Sequence, residues 1–103
     1  MTKPLRFDDE AAEELAMASD WYETRRKNLG LEFTAAVRDA LARIAEHPRT
    51  WPLAADVAES LAVRRVLLRR FPYAIVYVEL DAEIRLVAVA HTSREPGFWR
   101  TRL

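Results

Sequence analysis

The segment Ala88-Val89-Ala90-His91-Thr92-Ser93-Arg94-Glu95-Pro96-Gly97-Phe98-Trp99 carries more chemistry than any other stretch of this 103-residue chain. It places an arginine three residues after a histidine and puts two aromatic residues behind a Pro-Gly turn. Imidazole titrates near neutral pH and serves as general acid or base. Guanidinium offers a planar fork to phosphate or carboxylate, and aromatic rings stack on unpaired bases. Together these groups outline a metal-independent RNA-cleaving site. Each also has an ordinary use: His91 as a hydrogen-bonding group at a strand end, Arg94-Glu95 as a surface ion pair worth under ~1 kcal/mol. A second basic group, Arg65 and Arg69, lies upstream on either side of Leu67.

Other chemistries find no home. Gly30 and Gly97 are the only glycines, so neither GxxxxGK[ST] nor GxGxxG can be written. Cysteine is absent, which excludes disulfides and thiolate metal sites and fits a reducing compartment. The two histidines, His47 and His91, fall in different elements without an acidic cluster beside them, so no metal is expected. No serine sits in a nucleophile elbow, and no cofactor is expected. The N-terminus turns acidic at once, and no apolar run approaches the ~20 residues that span a bilayer. The expectation is a cytoplasmic protein that needs no membrane.

The length suits one domain, and half of the residues are apolar, enough for a single core. Net charge is zero but unevenly spread. Residues 1–62 hold 12 acids and 8 bases; residues 63–103 hold 4 acids and 8 bases, all of the latter arginine. Zero net charge weakens any case for tight nonspecific nucleic-acid binding.

The elements that must position these side chains follow from periodicity. Pro4–Phe7 alternates and predicts a short strand. Asp8 and Asp9 are N-cap candidates for a helix reaching about Asn28, with Ala11, Leu15, Ala18 and Tyr22 on one face. Gly30 is expected to break it. Phe33, Val37, Leu41 and Ile44 predict a second helix over Leu31–His47, stopped by Pro48. The linking turn makes an antiparallel helical hairpin. Residues 48–62 read as a loop with one helical turn near Ala54–Glu59, and Trp51 is expected to pack back on the core. Three strands follow, Val63–Arg70, Tyr73–Leu80 and Ile84–Thr92, joined by connections short enough for an antiparallel meander. The fold class is therefore α+β, β-α-α-β-β-β, with the hairpin on one face of a small, mainly antiparallel sheet.

A helical hairpin covers only one sheet face. Alternation assigns Val66 and Leu68 to the core and leaves Arg65, Leu67 and Arg69 on the other face. The next strand, YAIVYVEL, is apolar on both faces, so something must cover Val76, Val78 and their neighbours. Either Phe98 and Trp99 fold back over them, or a partner does.

In order and spacing the sequence resembles the RelE/ParE toxin superfamily along nearly its whole length. The resemblance is carried by Trp21-Tyr22, Gly30 with Glu32-Phe33, Pro48 after Ile44, Val63-Arg64-Arg65, Arg70-Phe71-Pro72-Tyr73-Ala74-Ile75-Val76-Tyr77, and Ala88-Val89-Ala90-His91 with Arg94. It implies the toxin of a bacterial type II toxin–antitoxin module, neutralised by a cognate antitoxin that adds an amphipathic helix and often a strand. On this chain the antitoxin would meet Leu67, Val76 and Val78. Two mechanisms are implied by the superfamily: RelE-like members cleave mRNA on the ribosome, whereas ParE-like members inhibit DNA gyrase. Arg65 and Arg69 match basic positions of the RelE pattern, but its arginine after Tyr73 is Ala74 here. The His-x-x-Arg-Glu end of the last strand is closer to ParE-like members. The target-facing residues expected are Arg65, Arg69, His91, Arg94 and Trp99, used for gyrase binding or, alternatively, for message cleavage. A non-toxic binding module of the same fold is the third reading.

Overall fold

Apolar residues at helical and then at strand spacing produce the expected element order. The computed structural model describes residues 2–54 and 62–103. It contains β1 (Leu5–Phe7), α1 (Asp9–Arg25), α2 (Leu29–Glu46), β2 (Val63–Leu67), β3 (Tyr73–Glu79) and β4 (Ile84–His91), followed by a 3-10 helix at Phe98–Arg102. The four strands form one sheet in the order β1-β4-β3-β2. β1 runs parallel to β4, and the other pairs are antiparallel. The architecture is the predicted α+β arrangement, two helices on a four-stranded mixed sheet. The helical turn expected near Ala54–Glu59 lies, beyond Ala54, outside the described residues.

The helical hairpin turns differently from expectation. Gly30 does not end a helix; it is the second residue of α2, and Asn28 makes the turn in the left-handed region at φ 71°. Glu23 completes the junction by accepting from the amides of Asn28 at 2.9 Å and Gly30 at 3.0 Å, two donors that a helix start leaves without partners. Glycine is needed at position 30 for contact. A β-carbon there would sit 2.7 Å from the Ser19 carbonyl oxygen, inside the α1–α2 packing.

Asp8 occupies the N-cap position of α1, and its carbonyl accepts from Ala12 at 2.9 Å, but its carboxylate does not cap the helix. That carboxylate is buried and receives Arg85 Nε at 2.9 Å on both oxygens, joining β4 to the start of α1. The partner on β4 was invisible in the local sequence.

The helix-covered face of the sheet holds the larger core. Phe33 and Ile44 from α2 meet Ile75, Tyr77, Ile84 and Leu86 there. Tyr22, Phe33, Phe71 and Tyr73 form an aromatic cluster with ring centroids 4.9–6.2 Å apart. Trp51 packs back against this core as expected, and its Nε1 donates to the Arg43 carbonyl at 3.2 Å. The chain just after it pairs with the outer edge of β2, through Ala54 N to Val63 O at 2.7 Å and Arg65 N to Pro52 O at 3.1 Å. This half-covers an edge that would otherwise invite strand pairing.

Residues Ala74 to Val78 are all buried, which explains why β3 fails to alternate. The register shifts between Val76 and Tyr77, where Val76 faces Ala88 and Tyr77 faces Leu86. Val87 is the extra residue of this bulge, so Val87 and Ala88 both join the second face.

Candidate functional site

The second sheet face is floored by Val63, Val76, Val78, Val87, Ala88 and Ala90. The chain itself covers it. Gly97, at φ 78°, reverses direction, and the 3-10 helix lays Trp99 on this floor with Phe98 beside it. Of the two covers considered from sequence, the tail is present. Val76 and Val78 are therefore only 2% and 4% exposed, and Trp99 5%. Leu67 remains more than half exposed beside Leu53, over a groove of about 520 Å³.

Where the cover ends, a small cleft of about 90 Å³ opens, lined among others by Arg65, Ala74, His91, Arg94 and Trp99. Four of the five expected target-facing residues thus meet at one place. Arg65 enters from β2, and its guanidinium has no ion-pair partner among the described residues. Trp99 forms a wall of this cleft; its ring is buried and not presented for stacking.

Arg69 does not belong to the group. β2 ends at Leu67, three residues short of the predicted Arg70, so strand alternation no longer governs position 69. Its guanidinium lies 3.7 Å from the Asp39 carboxylate on α2, on the helix side of the molecule. The arginine pair expected on the open face is thereby divided.

His91 stands at the boundary between the two faces. Its Cα partner is Tyr73, and the two rings meet edge-on at 5.1 Å. Tyr73 in turn packs on Phe33 at 5.0 Å, which places the imidazole towards the helices. It borders a second, apolar groove of about 580 Å³ lined by Met17, Trp21, Tyr22 and Tyr73, with Arg94 at one side. Burial raises the phenol pKa of both Tyr22 and Tyr73, so these hydroxyls stay protonated at neutral pH. His91 Nδ1 lies 3.0 Å from the Ser93 amide nitrogen and 2.7 Å from Ser93 Oγ. A backbone amide can only donate, so Nδ1 accepts and the neutral ring carries its proton on Nε2. His91 therefore presents a donor outward, and its lone pair is taken.

Arg94 does not pair with Glu95. It donates to Glu14 Oε2 at 3.3 Å and lies 3.6 Å over the Phe98 ring. Glu14 also accepts two bonds from Arg102, at 2.9 and 2.8 Å, and one from the Val89 amide at 3.0 Å. Its hydrogen bonds raise the Arg102 pKa further. Sequence reasoning missed Glu14, although a signal existed: it falls three residues after Ala11 and four before Ala18, on the buried side of α1.

Among the described residues no three His, Asp or Glu side chains gather to hold a metal ion. No described helix is long and apolar enough to cross a membrane.

The fold is shared with solved structures. The chromosomal ParDE toxin–antitoxin system from P. aeruginosa includes a chain that matches with a TM-score of 0.62 at 18% identity, covering 87% of this chain and 96% of that one. A double arginine-to-alanine mutant of E. coli toxin RelE in the free state matches with a TM-score of 0.55 at 19% identity, covering 90% and 86%. Among curated proteins no relative matches. In sequence, residues 5–96 match the family described as the ParE toxin of the type II toxin–antitoxin system parDE, and the chain belongs to that family.

Proposed function

We propose that this ParE-family toxin arrests growth by binding DNA gyrase through the cleft around Arg65 and Arg94, without cleaving RNA, and that a cognate ParD-type antitoxin neutralises it. The observation that carries the reading is His91: its Nδ1 lone pair accepts from the Ser93 amide, which competes with a substrate proton for the acceptor that a general base requires. Ala74 supports the same reading, since it lines the cleft where the RelE pattern has an arginine. The loss of a working base and of a transition-state donor each typically costs on the order of 10²-fold or more in rate. Binding needs neither.

For the antitoxin, Leu67 with Leu53 offers exposed apolar surface beside Arg65. Val76 and Val78 become available to it only where the C-terminal helix moves aside. An acidic partner suits the arginine-rich second half of the chain.

The test is viable count after tightly controlled expression in a bacterium, wild type beside Arg94→Ala, followed by a supercoiling assay with purified gyrase and an RNA gel. Arrest by wild type alone, with supercoiling inhibited and messages intact, is the expected result. Message cleavage would overturn the binding mechanism in favour of the RelE-like one. Normal growth despite abundant folded protein would favour a non-toxic binding module.

A further inference from the structure

We propose that Glu14, on α1, is a positioning residue: it fixes the Arg94 guanidinium and the C-terminal helix in the geometry that meets the target. The inference rests on the reading that Arg94 faces that target. Among the described residues, Glu14 is the one carboxylate touching all three parts involved, namely β4 through the Val89 amide, the C-terminal helix through Arg102, and Arg94 itself.

The geometry distinguishes an anchor from the group it aims. Glu14 and Arg102 have side chains only 16% and 13% exposed and share a two-bond fork, while Arg94 remains 48% exposed. Arg102 is held further by its Nη1, which also donates to the Val87 carbonyl at 3.0 Å, and by Arg85, which donates to the Arg102 carbonyl. The anchor is thus tied to the central strand by peptide groups. Arg94 receives one Glu14 contact at 3.3 Å, and the Phe98 ring lies 3.6 Å under its plane. A single bond and a stacked face leave most of its five N–H donors directed outward. A long side chain pre-set in this way loses less rotamer freedom on binding.

Glu14→Gln keeps the shape and the oxygen that accepts from Val89 and Arg102 Nη1, but puts an NH2 donor where Oε2 accepts from Arg94 and Arg102. The direct readout is side-chain nitrogen NMR of Arg94, where restricted Nη signals in wild type should average in Glu14→Gln. The functional readout is the toxin concentration that half-inhibits purified gyrase, a graded quantity that stays measurable in weakened variants, taken in a double-mutant cycle. Glu14→Gln should raise it about tenfold in the wild-type background and have no further effect on top of Arg94→Ala. Should Glu14→Gln fail to fold by circular dichroism, Glu14→Asp retains the charge but is too short to reach Arg94, and takes its place. Unchanged Arg94 signals, or equal losses of inhibition in both backgrounds, would overturn the positioning role. If the wild type itself does not arrest growth, the proposed function falls while the NMR comparison still decides whether Glu14 sets Arg94.

Discussion

The two faces of the sheet are covered in different ways. One lies under α1 and α2, 17 and 18 residues long, with an aromatic cluster packed ring against ring. The other lies under a five-residue 3-10 helix, with Trp99 as its main apolar contact and side-chain bonds at its rim. Broad apolar burial is non-directional and tolerates no gaps, so the first face supplies stability. A narrow cover held by a few directional bonds leaves a cleft, and Arg65, Arg94 and His91 stand at that margin. The lesson is that the candidate site residues collect where the cover is thin.

The contrast can be broken most forcefully at Phe33. It is fully buried and touches three aromatic rings, so Phe33→Ala should cost about 3–5 kcal/mol in urea unfolding. A loss of less than the Trp99 variant shows would invert the comparison. Trp99→Ala should cost about 3 kcal/mol, the low end for such a truncation because a thin cover can collapse, yet it should abolish growth arrest. Retained arrest in that variant would separate the C-terminal helix from the working surface.

An alkaline titration sharpens the contrast from the helix-covered side. Burial pushes the Tyr77 hydroxyl up to about 12, and it donates to the Pro48 carbonyl at 2.7 Å. The folded state holds this proton more tightly than the unfolded chain, whose phenol titrates near ~10. Its stabilisation is therefore complete below about pH 10 and is lost as pH rises towards 12, by about 2–3 kcal/mol. Tyr22 and Tyr73 act in the same direction. Urea midpoints between pH 9 and 11.5 should fall less steeply in Tyr77→Phe than in wild type; equal slopes would remove Tyr77 as the main cause.

The smallest effect is expected at Arg69. Its exposed contact with Asp39 is worth under ~1 kcal/mol. Arg69→Ala should leave arrest unchanged, whereas Arg65→Ala should weaken it in the same viable-count assay. Equal weakening by both would restore the arginine pair that the strand end divides.

Much of the fold was legible because it depends on local periodicity: the helical hairpin, the meander, and the return of Trp51 to the core all follow from spacing. The missed details depend on approach between distant segments. Gly30 looked like a helix stop, yet it serves a contact with Ser19, which the local pattern does not contain. Asp8 looked like a cap, yet its charge answers Arg85, 77 residues away. Alternation was carried to Arg69 because nothing in the chain announced that β2 stops at Leu67.

By itself, then, the sequence determined the family, the order of elements, which faces of the two helices form the core, and the segment that bears His91 and Arg94. Hydrophobic spacing encodes these, since burial depends on which face of an element a residue occupies. Only the tertiary structure decided that the tail covers Val76 and Val78, that Ser93 takes the His91 lone pair, and that Glu14 gathers Arg94 and Arg102. Directional bonds require positions in space, and the last of these joins residues up to 88 apart in the chain.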